Sequence, residues 1–233
     1  YLNLMGHDIY SDQKILTLGS PVTAEELEDS FLKNYKRVPL SKLKVKALQG
    51  SKAYHINGIL FDNPGNGVIH MYCDVKKLLD VCHAKGCTMT EYLGANFILS
   101  IYESQIKDKL QNANDIQLFV PINLRKIFGS KTLRNFSLFS RVGADPYNDM
   151  DMDKLIQIMH ENLKRDMDKD LLKDKISTTV WAEKFFLVRF IPLFLKKMFF
   201  SFSNTFFGKS KKTATLSNFG VLDIPQSMQQ HIE

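Results

Sequence analysis

Val120-Pro-Ile-Asn-Leu-Arg-Lys-Ile-Phe-Gly-Ser-Lys-Thr-Leu-Arg-Asn-Phe136 is the stretch on which the reading of this chain turns. It leads out of an apolar strand, 116 to 122, passes an arginine and a glycine, and enters a second strand over 135 to 142. In that second strand Phe136, Leu138 and Ser140 alternate with Ser137, Phe139 and Arg141. Arg125 closes an apolar strand, so its guanidinium is partly desolvated. Such a fork either takes a carboxylate in bidentate geometry or snorkels to water, and spacing alone leaves both open. Further on, Thr215-Leu-Ser-Asn-Phe-Gly220 ends another strand, 213 to 218, at a glycine, as a turn requires.

Around these two stretches, strands and helices interleave in an α/β order. Residues 11 to 50 are polar and lysine-rich, a connector with a short helix over 24 to 34 that Thr23 and Glu26 open as a capping box after Pro21. Two short strands, 53 to 61 and 67 to 73, are expected on either side of the turn Asp62-Asn-Pro-Gly-Asn-Gly67. Asp74 caps a helix over 75 to 85 with Leu78, Leu79 and Cys82 on one face, ended by Gly86. Thr88 and Glu91 form a second capping box, opening a helix to about Lys109 with Leu93, Phe97 and Ile101 on its apolar face. Residues 151 to 168 are amphipathic through Leu155, Met159 and Leu163.

The two stretches resemble signatures of the alcohol acetyltransferase branch of the chloramphenicol-acetyltransferase-like, condensation-domain-related acyltransferases. That resemblance implies a two-layer α/β sandwich of two similar halves, with a tunnel between them. This chain would supply the end of the first half and the connector in 1–50 and most of the second half in 51–233. The chemistry implied is acyl transfer from acetyl-CoA or another acyl-CoA, as co-substrate rather than bound cofactor, to the hydroxyl of a small or hydrophobic alcohol, with no metal. Such enzymes use the histidine of an HxxxDG motif as general base, and no HxxxDG occurs in these 233 residues. The expectation is therefore a fragment seen without its base. By the same resemblance Arg125 pairs with the HxxxDG aspartate and Asn135 steadies the start of a channel strand. Asn218, Phe219 and Gly220 border the acyl-donor channel, with Ser217 a candidate oxyanion donor. Rival readings are a non-catalytic binding module of the same fold and a peripheral membrane protein.

Composition narrows the partners. The net charge is +6, but the lysines are spread along helix faces without an aromatic-plus-basic recognition motif, so no nucleic acid is expected. Cys73, Cys82 and Cys87 are an odd number without framework spacing, which predicts reduced thiols and a cytoplasmic location. Cys82, His83 and Cys87 match no standard zinc spacing. His70-Met-Tyr-Cys-Asp74 imitates HxxxD, yet Val75 follows where glycine belongs and Asp74 serves as a helix cap. No histidine is seen paired to an orienting acid. Residues 181–207 crowd nine phenylalanines around Arg189, Pro192, Lys196 and Lys197. A run so broken does not cross a membrane; it either fills core and channel or rests on a lipid surface.

Overall fold

A computed structural model describes residues 20–36, 52–58, 67–107, 113–148, 150–184, 211–221 and 226–229, with Gly6, Gly65, Pro192, Lys197 and His231. Along the chain run α1 (Ala24–Leu27), α2 (Ser30–Lys33), α3 (Val75–Ala84), α4 (Met89–Ile101), β1 (Ile116–Asn123) and α5 (Leu124–Phe128). Then come β2 (Ser137–Ala144), α6 (Met152–Asp166), α7 (Lys169–Lys184), β3 (Ala214–Thr215) and α8 (Gln226–Gln229). β1 is central, antiparallel to β2 and parallel to β3. The β1–β2 register pairs Ile116 with Ala144 and Asn123 with Ser137.

Alternation along β1 sends Ile116, Leu118 and Val120 to one face, where Val142 and Ala144 of β2 join them. That face packs on α4 and α6 through Ala95, Ile98, Ile101, Leu155, Met159 and Leu163. A second cluster joins Ile122, Leu124 and Phe136 to Leu172, Ile176 and Val180 of α7. The opposite sheet face carries Phe119, Phe139 and Arg141, with Phe139 exposed and the Arg141 guanidinium 5.1 Å from the Phe119 ring centre.

Several expectations hold, and others need correction. The helix expected over 24 to 34 is two short helices, split at Glu28. Carbonyls that would continue it are used elsewhere: Glu26 O accepts Leu133 N–H at 2.8 Å and Glu28 O accepts the Thr132 hydroxyl at 2.6 Å. Asp29 then caps the second helix by accepting Leu32 N–H.

The strand pair across 53 to 73 is not formed in the described residues; 59–64 lie outside them. Ala53 makes one parallel bridge, to Asp115. The Gln105 side chain takes the place of a ladder partner, accepting from Asn57 N–H at 2.9 Å and donating to Asn57 O at 3.1 Å. Residues 67–73 form no regular element and are exposed, with Val68, Ile69, Met71 and Tyr72 between 72% and 93% accessible.

In α4 the buried face is Gly94, Ala95, Ile98 and Ile101, whereas Leu93 and Phe97 stay partly open to solvent. Apolar residues lie on every side of the helix and its polar ones, Thr90, Glu91, Asn96 and Ser100, are scattered, so a four-residue repeat does not choose the face. Residue size does: Gly94 lets the Met159 side chain of α6 into the space a Cβ would fill. Beyond Ile101 the helix widens into a π turn, Tyr102–Ile106. Helix α7 is an element the sequence reading lacked. Its signals are ordinary ones: Asp168 accepts from the N–H groups of Asp170 and Leu171, and Leu172, Ile176 and Val180 recur every fourth residue into the core. Most of 181–207 lies outside the described residues, and no described helix is long and apolar enough to cross a membrane.

The α4 capping box is present as expected. Thr88 Oγ1 accepts Glu91 N–H at 3.3 Å while Glu91 Oε2 accepts Thr88 N–H at 2.7 Å. Thr88→Ala should cost about 1 kcal/mol, read as a lowered urea midpoint with unchanged slope.

Candidate functional site

Both signature stretches leave the sheet at the carboxyl ends of its parallel pair, β1 and β3. Open α/β sheets present ligands at that edge, because chain ends and loops there are free to vary. After β1, Asn123 caps α5 by accepting Arg125 N–H at 3.1 Å, and Gly129 ends that helix at φ +64. The chain then turns back, and Arg125 spans the turn. Its Nε donates to Thr132 O and its Nη2 to Arg134 O, each at 2.7 Å, while Nη1 reaches Asn123 Oδ1 at 3.4 Å. Among the described residues the Arg125 fork is held by backbone carbonyls and so clasps its own loop, whereas the expected pairing with an HxxxDG aspartate concerns a segment that is not among these residues. Asn135 is exposed and accepts the Ser137 hydroxyl at 2.7 Å. Under the clasp Phe136 is wholly buried, edge-on to Phe31 at 5.1 Å.

After β3, the second loop is tied to α4 instead. Asn218 Nδ2 donates to Thr90 Oγ1 at 3.1 Å, and Asn218 Oδ1 accepts Gly220 N–H at 2.8 Å, turning the chain at φ +70. Ser217, Asn218, Phe219 and Gly220 are all exposed, Phe219 at 84%. The structure thus brings Arg125 and Asn135 into one loop and Ser217 to Gly220 into another, on adjacent strands.

One further constellation escaped the sequence reading. Glu91, buried, accepts at its second oxygen from or pairs with His160 Nδ1 at 2.9 Å, so a histidine does meet an orienting acid. The ring is 56% exposed, on α6 beside the stripe of Leu155, Met159 and Leu163. Around the pair lies an open cavity of about 520 Å³ reached by His83, Cys87, Lys164 and Met167. Glu91 and Thr90 are neighbours, so the first turn of α4 serves both this cavity and the second loop. Nothing local in sequence announces the pair, because its members are brought together only by packing of α4 on α6.

Burial, and then the neighbouring Cys82 thiol and Glu91, push the Cys87 thiol above its usual range. Cys82 is buried and Cys73 exposed, and among the described residues no group of three or more His, Cys, Asp or Glu could hold a metal. His70 is exposed in the 67–73 segment, and Asp74 accepts the N–H groups of Lys76 and Lys77, so the aspartate of that HxxxD is committed to a helix start.

Among known proteins, a family model described as alcohol acetyltransferase matches residues 61–233. Comparison with curated proteins and with solved structures gave no match. Because the match takes in most of the chain and both signature loops, the chain belongs to the alcohol acetyltransferase family, and with it to the chloramphenicol-acetyltransferase-like α/β fold.

Proposed function

We propose that the full-length gene product transfers an acyl group from a CoA thioester to an alcohol hydroxyl. The observation that carries this reading is the family match over both signature loops, which leave the sheet at the carboxyl ends of β1 and β3. In the proposed reaction a general base removes the hydroxyl proton, the oxygen attacks the thioester carbonyl, and CoA leaves as its thiol. An HxxxDG histidine is the proposed base and is not among these 233 residues. This chain then contributes walls and positioning. The Ser217 hydroxyl, exposed beyond β3, is the proposed oxyanion donor, and Asn218, Phe219 and Gly220 border the acyl-donor channel. Arg125 and Asn135 hold the loop on the neighbouring strand.

Thiol release from acetyl-CoA, followed with and without a series of primary alcohols, tests the reading on the full-length product. Alcohol-dependent release is expected; its absence across the series would favour a non-catalytic binding role. Arg125→Lys should lower kcat roughly tenfold or more while leaving the affinity for CoA nearly unchanged, because one ammonium cannot bridge two carbonyls as the guanidinium fork does. Unaltered turnover in that variant would remove Arg125 from the proposal.

A further inference from the structure

Two cysteines flank the joint between α3 and α4. α3 ends at Gly86 with φ +63, and the reversal is closed by Gly86 N–H to His83 O and Cys87 N–H to Cys82 O, both 3.0 Å. This is the Schellman arrangement, in which the side chains at the two ends of the outer hydrogen bond face each other. Here those side chains are Cys82, 1% exposed, and Cys87, half-buried on the cavity. A disulfide needs a Cα separation of roughly 4.4–6.8 Å, and the 3.0 Å bond from Cys87 N–H to Cys82 O holds the two backbones close together. The Cys82 thiol is also among the groups that push the Cys87 thiol upward.

We propose that Cys82 and Cys87 form a reversible intramolecular disulfide, with Cys87 the entry point for a small disulfide such as glutathione disulfide and Cys82 the resolving thiol. Cys87 gives its proton to solvent, and its thiolate attacks one glutathione sulfur, forming a mixed disulfide and releasing one glutathione thiol. Cys82, deprotonated in turn, attacks the Cys87 sulfur and releases the second. Two protein thiols are oxidised, one glutathione disulfide is reduced, and the electrons balance. Since Cys87 is held above the usual thiol range, only a minority of it is thiolate near neutrality, and the first step quickens as pH rises. The bond pins the end of α3 to the residue before Thr88, within one turn of the contacts from Thr90 to Asn218 and from Glu91 to His160.

Lys85 lies between the two cysteines, so trypsin separates residues 78–85 from 86–107 and a disulfide holds them together. The full chain is incubated with glutathione disulfide at pH 7 and pH 9, free thiols are alkylated, and the tryptic peptides are weighed. Linked peptides 78–85 and 86–107, two hydrogens lighter than their sum, are expected to form several-fold faster at pH 9 and to separate with dithiothreitol. Exposed Cys73 serves as the internal control, carrying glutathione under the same conditions. In Cys82→Ser the reaction should halt with glutathione retained on Cys87. Unlinked peptides in the wild type, whether alkylated or glutathionylated at Cys87, would overturn the proposal once Cys73 has reacted. An unmodified Cys87 in Cys82→Ser would overturn its role as entry point.

Discussion

Asp166→Ala should lower the stability of the domain by about 3 kcal/mol, the low end of the roughly 3–5 kcal/mol that follows when one side of a buried pair is removed. Asp166 is only 5% exposed, yet it ends α6 as a hub for three elements. Its Oδ2 accepts the Ser140 hydroxyl at 2.8 Å and Arg141 N–H at 3.2 Å, both from β2, and its Oδ1 meets Lys175 of α7 at 3.1 Å. Alanine leaves those donors without their acceptor. The low end applies because Lys175 is 29% exposed and can turn to water.

Burial raises the Asp166 carboxyl, but the bonds from Ser140, Lys175 and Arg141 outweigh it, and the net shift is downward. A carboxyl lowered in the folded state stabilises fully above its unfolded value of about 3.9 and loses that contribution as pH falls through the folded value. Urea midpoints of wild type and Asp166→Ala should accordingly differ most near neutrality and converge in acid below about pH 4. A gap that stays constant into acid would mean that charge has no part in the hub.

Phe136→Ala should be the other severe change, costing about 3–5 kcal/mol, a large share of the roughly 5–15 kcal/mol that holds a domain folded. Its ring is wholly buried between Phe31, at 5.1 Å and edge-on, and Phe128, at 5.8 Å. Leu124, Leu172, Ile176 and Val180 surround the same cluster, so a cavity there is lined by groups from three elements that cannot all move in. Phe136→Leu keeps most of the volume and should cost less than half as much. A midpoint for Phe136→Ala within about 1 kcal/mol of wild type would show that the cluster collapses into the gap.

How much of this could be read in advance depended on how local each cause was. Caps are local, and Thr23, Asp74 and Thr88 begin helices where their side chains say they should. β1, β2 and α6 were likewise legible, since each shows its face through a simple period. In α4 the period failed because apolar residues lie on every side of the helix, with Thr90, Glu91, Asn96 and Ser100 scattered among them, and the close approach at Gly94 settled the orientation. Residues 67–73 have a strand's composition, but pairing belongs to two segments and one sequence window shows only one of them. Within the site, Arg125 was found by its position after an apolar strand. Its partners are carbonyls, which carry no signature in the sequence. The Glu91–His160 pair is hidden for a related reason: the capping box uses only one Glu91 oxygen, and the partner of the other is set by the packing of α4 on α6.

β1 and β2 are joined by thirteen residues, 124 to 136, whereas β1 meets β3 across a separation of 96 between Gln117 and Thr213. Closing the longer interval costs more chain entropy and is rewarded by a ladder of only two residues on β3. The contrast predicts an assembly that is hierarchical in time, with the hairpin forming on its own contacts and β3 docking onto a surface already made. What arrives last is the strand that carries Ser217 to Gly220. The two loops at the carboxyl edge consequently differ in cooperativity, one rising and falling with the folding of the core and the other able to detach while the rest of the domain stays folded.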